Sequence, residues 1–187
     1  MHTIAVFCGA QKGLNPIYSE HAAQMGRLLA QRGIRTLFGG GSVGLMGVLA
    51  DAVLKAGGAI TGVITEQLNA LEVGHPGVQD MLVVESMSER RVLLIKGTDG
   101  VIAMPGGFGS MDELFEALTL AQLRQYRKPI GLLNVSGYYD PLLGMMDRMV
   151  EEGFLAPANR NLCIDADTPL ALLEKMAACA LQLSQIC

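Results

Sequence analysis

Apolar residues along this chain gather into short unbroken runs, separated by longer stretches in which they recur at helical spacing. Thr3 to Cys8 is the first run, Ile34 to Phe38 the second and Ala59 to Ile64 the third. Met81 to Val84, Gly100 to Met104 and Pro129 to Leu133 follow, with Leu162 to Ile164 as a short last one. Unbroken runs bounded by turn residues predict strands covered on both faces. Between them, Pro16 precedes a helix with apolar positions at Ala22, Ala23, Met25, Leu28 and Leu29, closed by Gly33. Further helices are predicted over Leu45–Ala56, from the Ser86-x-x-Glu89 cap to Lys96, from near Ser110, and over Tyr138–Glu152. Thr168-Pro169 opens the final helix. The segment Thr65 to Asp80 holds Gly74, Pro76 and Gly77, shows no period, and reads as an irregular loop. The alternation predicts one α/β domain over residues 1–187: a Rossmann-like, doubly wound, mostly parallel sheet flanked by helices.

Candidate chemistry sits where strands end. Gly9-Ala10-Gln11-Lys12-Gly13, Gly39-Gly40-Gly41-Ser42-Val43-Gly44 and Pro105-Gly106-Gly107-Phe108-Gly109 each close a predicted strand. In doubly wound sheets ligands bind at those ends. The third loop leads directly into a helix, whose first N–H groups and partial positive charge suit a phosphate. Asp112 and Glu113 lie just inside that helix. The same residues also spell a capping box, Ser110-x-x-Glu113, which needs no ligand.

Gly39-x-Gly41-x-x-Gly44 formally matches a dinucleotide fingerprint, with Glu66 available as the acid of the next strand, but the match alone is weak. Its extra glycines and the second loop at Gly106 favour the phosphate of a mononucleotide. No GxxxxGK[ST] and no GxSxG occurs. Met87-Ser88-Glu89-Arg90-Arg91 puts two cations at the start of a helix, against the dipole, and such a local misfit hints at function.

Composition narrows the partners. The chain has 187 residues, half of them hydrophobic, and a net charge of −4, so the broad basic surface of a nucleic-acid binder is not expected. Cys8, Cys163, Cys179 and Cys187 form no CxxC or CxxH pair, which favours free thiols in a reducing compartment. His2, His21 and His75 lack metal-ligand spacing, and neither a metal nor a cofactor is expected. The N-terminus enters a strand without a basic leader, and the C-terminal segment carries Glu174 and Lys175. A cytoplasmic protein away from the membrane is expected.

At these motifs the chain resembles the LOG (Lonely Guy) family of cytokinin riboside 5′-monophosphate phosphoribohydrolases, many of which carry an older label of lysine decarboxylase. That family pairs a Met-His-Glu-Arg-Lys stretch with Pro-Gly-Gly-x-Gly-Thr-x-x-Glu. Here these are Met87-Ser88-Glu89-Arg90-Arg91 and Pro105-Gly106-Gly107-Phe108-Gly109-Ser110-Met111-Asp112-Glu113. Gly39 to Gly47, Glu72-Val73-Gly74-His75, Lys128 to Asn134 and Gly137-Tyr138-Tyr139-Asp140 are similar too.

The resemblance implies hydrolysis of the N-glycosidic bond of AMP or a cytokinin riboside monophosphate, with Arg90 and Glu113 as the catalytic pair. It implies nucleotide contacts from Glu72, Arg91, Gly106, Gly107, Phe108, Gly109, Ser110, Met111, Asp112 and Thr119, joined by Gly40 and Gly41 of the second loop. It also implies a homodimer or larger assembly with the site near an interface. Ser110 stands for threonine, Arg91 for lysine, Ser88 for histidine and Ala10-Gln11 for a serine pair, changes that bear on which base is accepted. A non-catalytic carrier of a nucleotide or of molybdenum cofactor is the alternative on the same fold, and an NAD-dependent oxidoreductase a third.

Overall fold

The computed structural model describes residues 1–71 and 74–184. Its strands are β1 (Thr3–Phe7), β2 (Arg35–Phe38), β3 (Ile60–Thr65), β4 (Asp80–Val84), β5 (Val101–Ala103), β6 (Ile130–Leu133) and β7 (Cys163–Ala166). The helices are α1 (Ile17–Gln31), α2 (Gly44–Lys55), α3 (Glu66–Ala70), α4 (Met87–Lys96), α5 (Phe108–Gln122), α6 (Asp140–Glu151), α7 (Pro157–Arg160) and α8 (Pro169–Ser184). The strands form one sheet in the order β4-β3-β2-β1-β5-β6-β7, every neighbouring pair parallel.

The unbroken apolar runs have their reason in this arrangement. Ile4, Val6 and Cys8 point to the face covered by α1, α2 and α8, where they meet Met25, Leu29, Leu49, Val53 and Leu172. Ala5 and Phe7 point to the other face, against Leu94, Leu114, Ala117 and Tyr139. With helices on both sides, Ile4 to Phe7 of β1 are all buried and all apolar. Among the described residues no helix is long and apolar enough to cross a membrane.

Four boundaries differ from the sequence expectation, each for a local reason. The stretch after β3 is not wholly irregular, because Thr65 Oγ1 accepts the Leu68 amide at 3.3 Å and caps the short α3. Helix α5 begins at Phe108 rather than near Ser110, with Gly107 as its extended N-cap. The helix expected over Tyr138–Glu152 starts late: a 3-10 turn, Val135–Gly137, holds Ser136 and Gly137 at φ of 52° and 71°, and α6 begins only at Asp140. The last strand is longer than expected and runs to Ala166.

Candidate active site

Strands β1 and β5 lie side by side, yet the chain leaves them in opposite directions, toward β2 from one and β6 from the other. Such a switch point opens a crevice at the carboxyl ends. A cavity of about 540 Å³ occupies it, lined by the Gly9–Gly13 loop, Met46 of α2, the loop from Gly106 to Ser110, Tyr18 and Tyr138. Glu113 is part of the same lining. Backbone bonds stitch the loops together: the Gly9 amide donates to Pro105 O at 3.0 Å and the Leu45 amide to Gly9 O at 2.9 Å. Their approach is close enough that a Cβ on Gly44, whose φ is +63°, would fall 2.2 Å from the Ala10 backbone. Only glycine fits there.

The buried pair stands behind the cavity. Ser86 Oγ accepts the Glu89 amide at 3.1 Å and starts α4, which carries Arg90 one residue further on. The Arg90 guanidinium then donates in three directions: to Val63 O at 2.8 Å, to Gly39 O at 3.1 Å and to Glu113 Oε1 at 3.0 Å. One cation thus ties the ends of β2 and β3 to the second turn of α5. Arg90 and Glu113 are each 7% exposed. Arg90 is absent from the cavity lining. Of the two tasks its charge suggests, gripping a phosphate or fixing Glu113, the geometry favours the second.

Burial pushes the Glu113 carboxyl up to about 7, against the pull of Arg90. A carboxyl poised near neutrality inside a crevice is characteristic of catalytic acids and bases. Cys8 lies in the same lining, but burial and the neighbouring Glu113 hold its thiol well above the usual range. It is therefore a poor nucleophile.

The capping box read from Ser110-x-x-Glu113 does not form. Because α5 starts at Phe108, Ser110 is an interior residue of the first turn, and no side chain caps the helix. Glu113 bonds Arg90 instead. The amides of Gly107, Phe108, Gly109 and Ser110 consequently have no hydrogen-bond partner among the described residues. These donors sit at the cavity edge and suit an anion.

The other sequence candidates are only partly gathered. Gly106, Gly107, Phe108, Gly109 and Ser110 line the cavity with Glu113. Met111 packs into the core face instead. Arg91 pairs with Asp112 at 3.0 Å and Glu116 at 2.5 Å, joining α4 to α5 outside the lining. Thr119 is exposed and donates to Phe115 O at 2.7 Å within its own helix. Gly40 accepts the His75 amide at 2.8 Å and Gly41 bridges Gly74, so both are engaged in holding the second loop. Glu72 lies outside the described residues. Tyr18 and Tyr138 line the cavity without having been singled out. For Tyr138 the signal was present in the Gly137-Tyr138-Tyr139-Asp140 stretch.

Gly39 has a sharper requirement than its neighbours. A Cβ there would fall 2.1 Å from Nη2 of Arg90, which its three bonds prevent from stepping aside. We expect Gly39→Ala to cost about 1–3 kcal/mol by overpacking, read by urea unfolding. Unchanged stability in that variant would show that the guanidinium need not sit where it does.

The family model described as "Possible lysine decarboxylase" matches residues 46–176. A probable cytokinin riboside 5′-monophosphate phosphoribohydrolase of Oryza sativa subsp. japonica is 43% identical over 173 residues, covering 92% of this chain and 78% of its own. The chain belongs to the LOG family. A LOG relative from Arabidopsis thaliana, named cytokinin riboside 5′-monophosphate phosphoribohydrolase, is 41% identical and covers 92% of this chain and 80% of its own. Among solved structures, the molybdenum cofactor binding protein of Rippkaea orientalis superposes with a TM-score of 0.70 at 24% identity, over 94% of this chain and 95% of that one. The molybdenum cofactor carrier protein of Chlamydomonas reinhardtii gives 0.68 at 20% identity, over 94% and 98%. At such identities these two share the LOG fold, which carries no statement about ligand.

Proposed function

We propose that this LOG-family protein hydrolyses the N-glycosidic bond of an adenosine-type nucleoside 5′-monophosphate, AMP or a cytokinin riboside monophosphate, releasing free base and ribose 5-phosphate. The observation that carries this reading is the buried Glu113 carboxyl, held by Arg90, opening on a cavity that also takes in the unpartnered start of the same helix. The names of the rice and Arabidopsis relatives support the same activity.

Cleavage develops positive charge on the ribose ring, and a carboxylate beneath C1′ lowers the energy of that charge. Glu113 has a second use, orienting the water whose oxygen bonds to C1′ as the bond to the base nitrogen breaks. One proton of that water stays on the new ribose hydroxyl and the equivalent of the other ends on the base. The 5′-phosphate rests on the amides from Gly107 to Ser110, with Gly106 completing the turn. Gripping the far end of the substrate positions C1′ over the carboxylate, so the phosphate contributes to the rate as well as to affinity. Outside the cavity, Arg91 ties Asp112 and Glu116 of α5 to α4 and so braces the helix whose start holds the phosphate.

We expect incubation with AMP and with isopentenyladenosine monophosphate to release free base, and the corresponding nucleosides to react far more slowly. No base from any purine or pyrimidine monophosphate would overturn the reading and favour a non-catalytic carrier. A carrier, however, leaves the buried Glu113 without a task.

We further propose that the protein is cytoplasmic and works as a homodimer. Leu82 and Val83 on β4, and Met87, Val92 and Leu93 on α4, are large apolar residues left exposed beside the helix that carries Arg90. A second copy covering them would bring the subunit boundary next to the catalytic pair.

A further inference from the structure

Gly137-Tyr138-Tyr139-Asp140 follows β6 and has no part in the chemistry proposed for Glu113. Its backbone is costly: Ser136 and Gly137 are successive left-handed residues, and Ser136 is not glycine. Asn134 holds the turn from both sides, its Nδ2 donating to Asp140 Oδ1 at 2.7 Å and its Oδ1 accepting the Tyr139 amide at 2.7 Å. Backbone strain that its surroundings over-determine in this way concentrates at working sites.

The turn delivers two phenol hydroxyls to the strand that feeds the glycine loop. Tyr139, fully buried, donates to Met104 O at 2.7 Å. Tyr138 lines the cavity and donates to Gly106 O at 2.5 Å. The rings stand edge to face, with centroids 5.0 Å apart, and Tyr18 meets Tyr138 in the same manner at 5.9 Å. Tyr138 therefore has few ways to turn its hydroxyl elsewhere.

We infer that Tyr138 is a positioning residue for the phosphate seat, acting through the carbonyl of Gly106. A peptide unit is planar, so fixing the direction of the Gly106 carbonyl fixes that of the Gly107 N–H. Gly107 is one of the unpartnered donors at the helix start. Gly106 itself is closely packed, a Cβ there falling 2.2 Å from Ser110 Oγ, but beyond it packing gives way, since a Cβ on Gly107 or on Gly109 would meet nothing within 4 Å. The hydroxyl supplies the restraint that side-chain contacts do not. This inference rests on the phosphoribohydrolase reading for the identity of the anion, a nucleotide 5′-phosphate.

Tyr138→Phe keeps the ring and the cavity wall and removes only the donor. Calorimetric titration with AMP and with adenosine, comparing Tyr138 and Tyr138→Phe in the Glu113→Gln background where AMP is not consumed, separates the two roles, because adenosine lacks the group that the loop holds. The expected result is an AMP Kd weakened about five- to tenfold, the usual net worth of one hydrogen bond, with the adenosine Kd changed less than twofold. Inorganic phosphate, tested as a competitor of AMP, weakens by the same factor. An unchanged AMP Kd, or an equal loss for adenosine and AMP, overturns the inference. Base release by the wild-type protein is followed in parallel: its absence sinks the hydrolase reading alone, since the binding comparison still decides the part played by Tyr138.

Discussion

Glu113→Gln will keep the fold and lose turnover, with kcat lower by roughly 10³-fold and AMP binding little altered. The amide is nearly the shape of the carboxylate and its oxygen still accepts from Arg90, so the tie between α4 and α5 remains. What disappears is negative charge opposite the developing cation on ribose, an interaction made chiefly in the transition state, and so kcat rather than affinity carries the loss.

The pH dependence gives a second signature of the same group. Burial raises the Glu113 carboxyl to about 7, so kcat/KM of the wild type will climb with pH and level off above that value as the carboxylate forms. Stability runs the other way. A carboxyl that titrates higher in the folded than in the unfolded chain binds more protons when folded, so its contribution is fully present at low pH. It is lost as pH rises from the unfolded value near 4.5 to about 7. The span is worth at most about 3 kcal/mol. Glu113→Gln will flatten this stretch of the stability curve, which urea unfolding between pH 5 and 8 measures. Retention of most activity by the glutamine variant would remove Glu113 from the chemistry.

How much of this was legible beforehand depends on the distance over which each feature is decided. The parallel, doubly wound sheet follows from residues such as Ile4, Ala5, Val6 and Phe7, whose unbroken apolarity requires cover on both faces, and this is a local signal. The meeting of the Gly9 and Gly106 loops follows from the topology rule for strand ends. The start of α5 did not follow. Ser110 and Glu113 satisfy the capping spacing, and only the long reach of Arg90, from 23 residues upstream, takes Glu113 out of that role. Arg91 and Asp112 look equally like ligand contacts in sequence. Whether two opposite charges face a cavity or each other is a tertiary fact, and here they face each other. The Gly137-Tyr138-Tyr139-Asp140 stretch marks Tyr138 in sequence, but what its hydroxyl does is a tertiary fact too, since its partner is a carbonyl 32 residues away.

Arg90→Met tests whether the pair is one unit. Methionine fills much of the volume but donates nothing, leaving Val63 O, Gly39 O and a buried Glu113 carboxyl without their partner. Breaking a buried pair from one side typically costs about 3–5 kcal/mol, mainly because the remaining charge is stranded. We therefore expect a loss of that size by urea unfolding at pH 8, together with loss of turnover. Lowering the pH relieves part of the deficit: without the pull of Arg90 the carboxyl titrates above about 7, and its protonated form tolerates burial. Adding Glu113→Gln to Arg90→Met removes the stranded charge altogether, so the double variant at pH 8 will be more stable than Arg90→Met alone. Stability losses that instead add to within about 0.5 kcal/mol would mean that the two side chains are energetically independent. In that case Arg90 would be a brace between β2, β3 and α4 only, and the poise of Glu113 would have to come from burial without its neighbour.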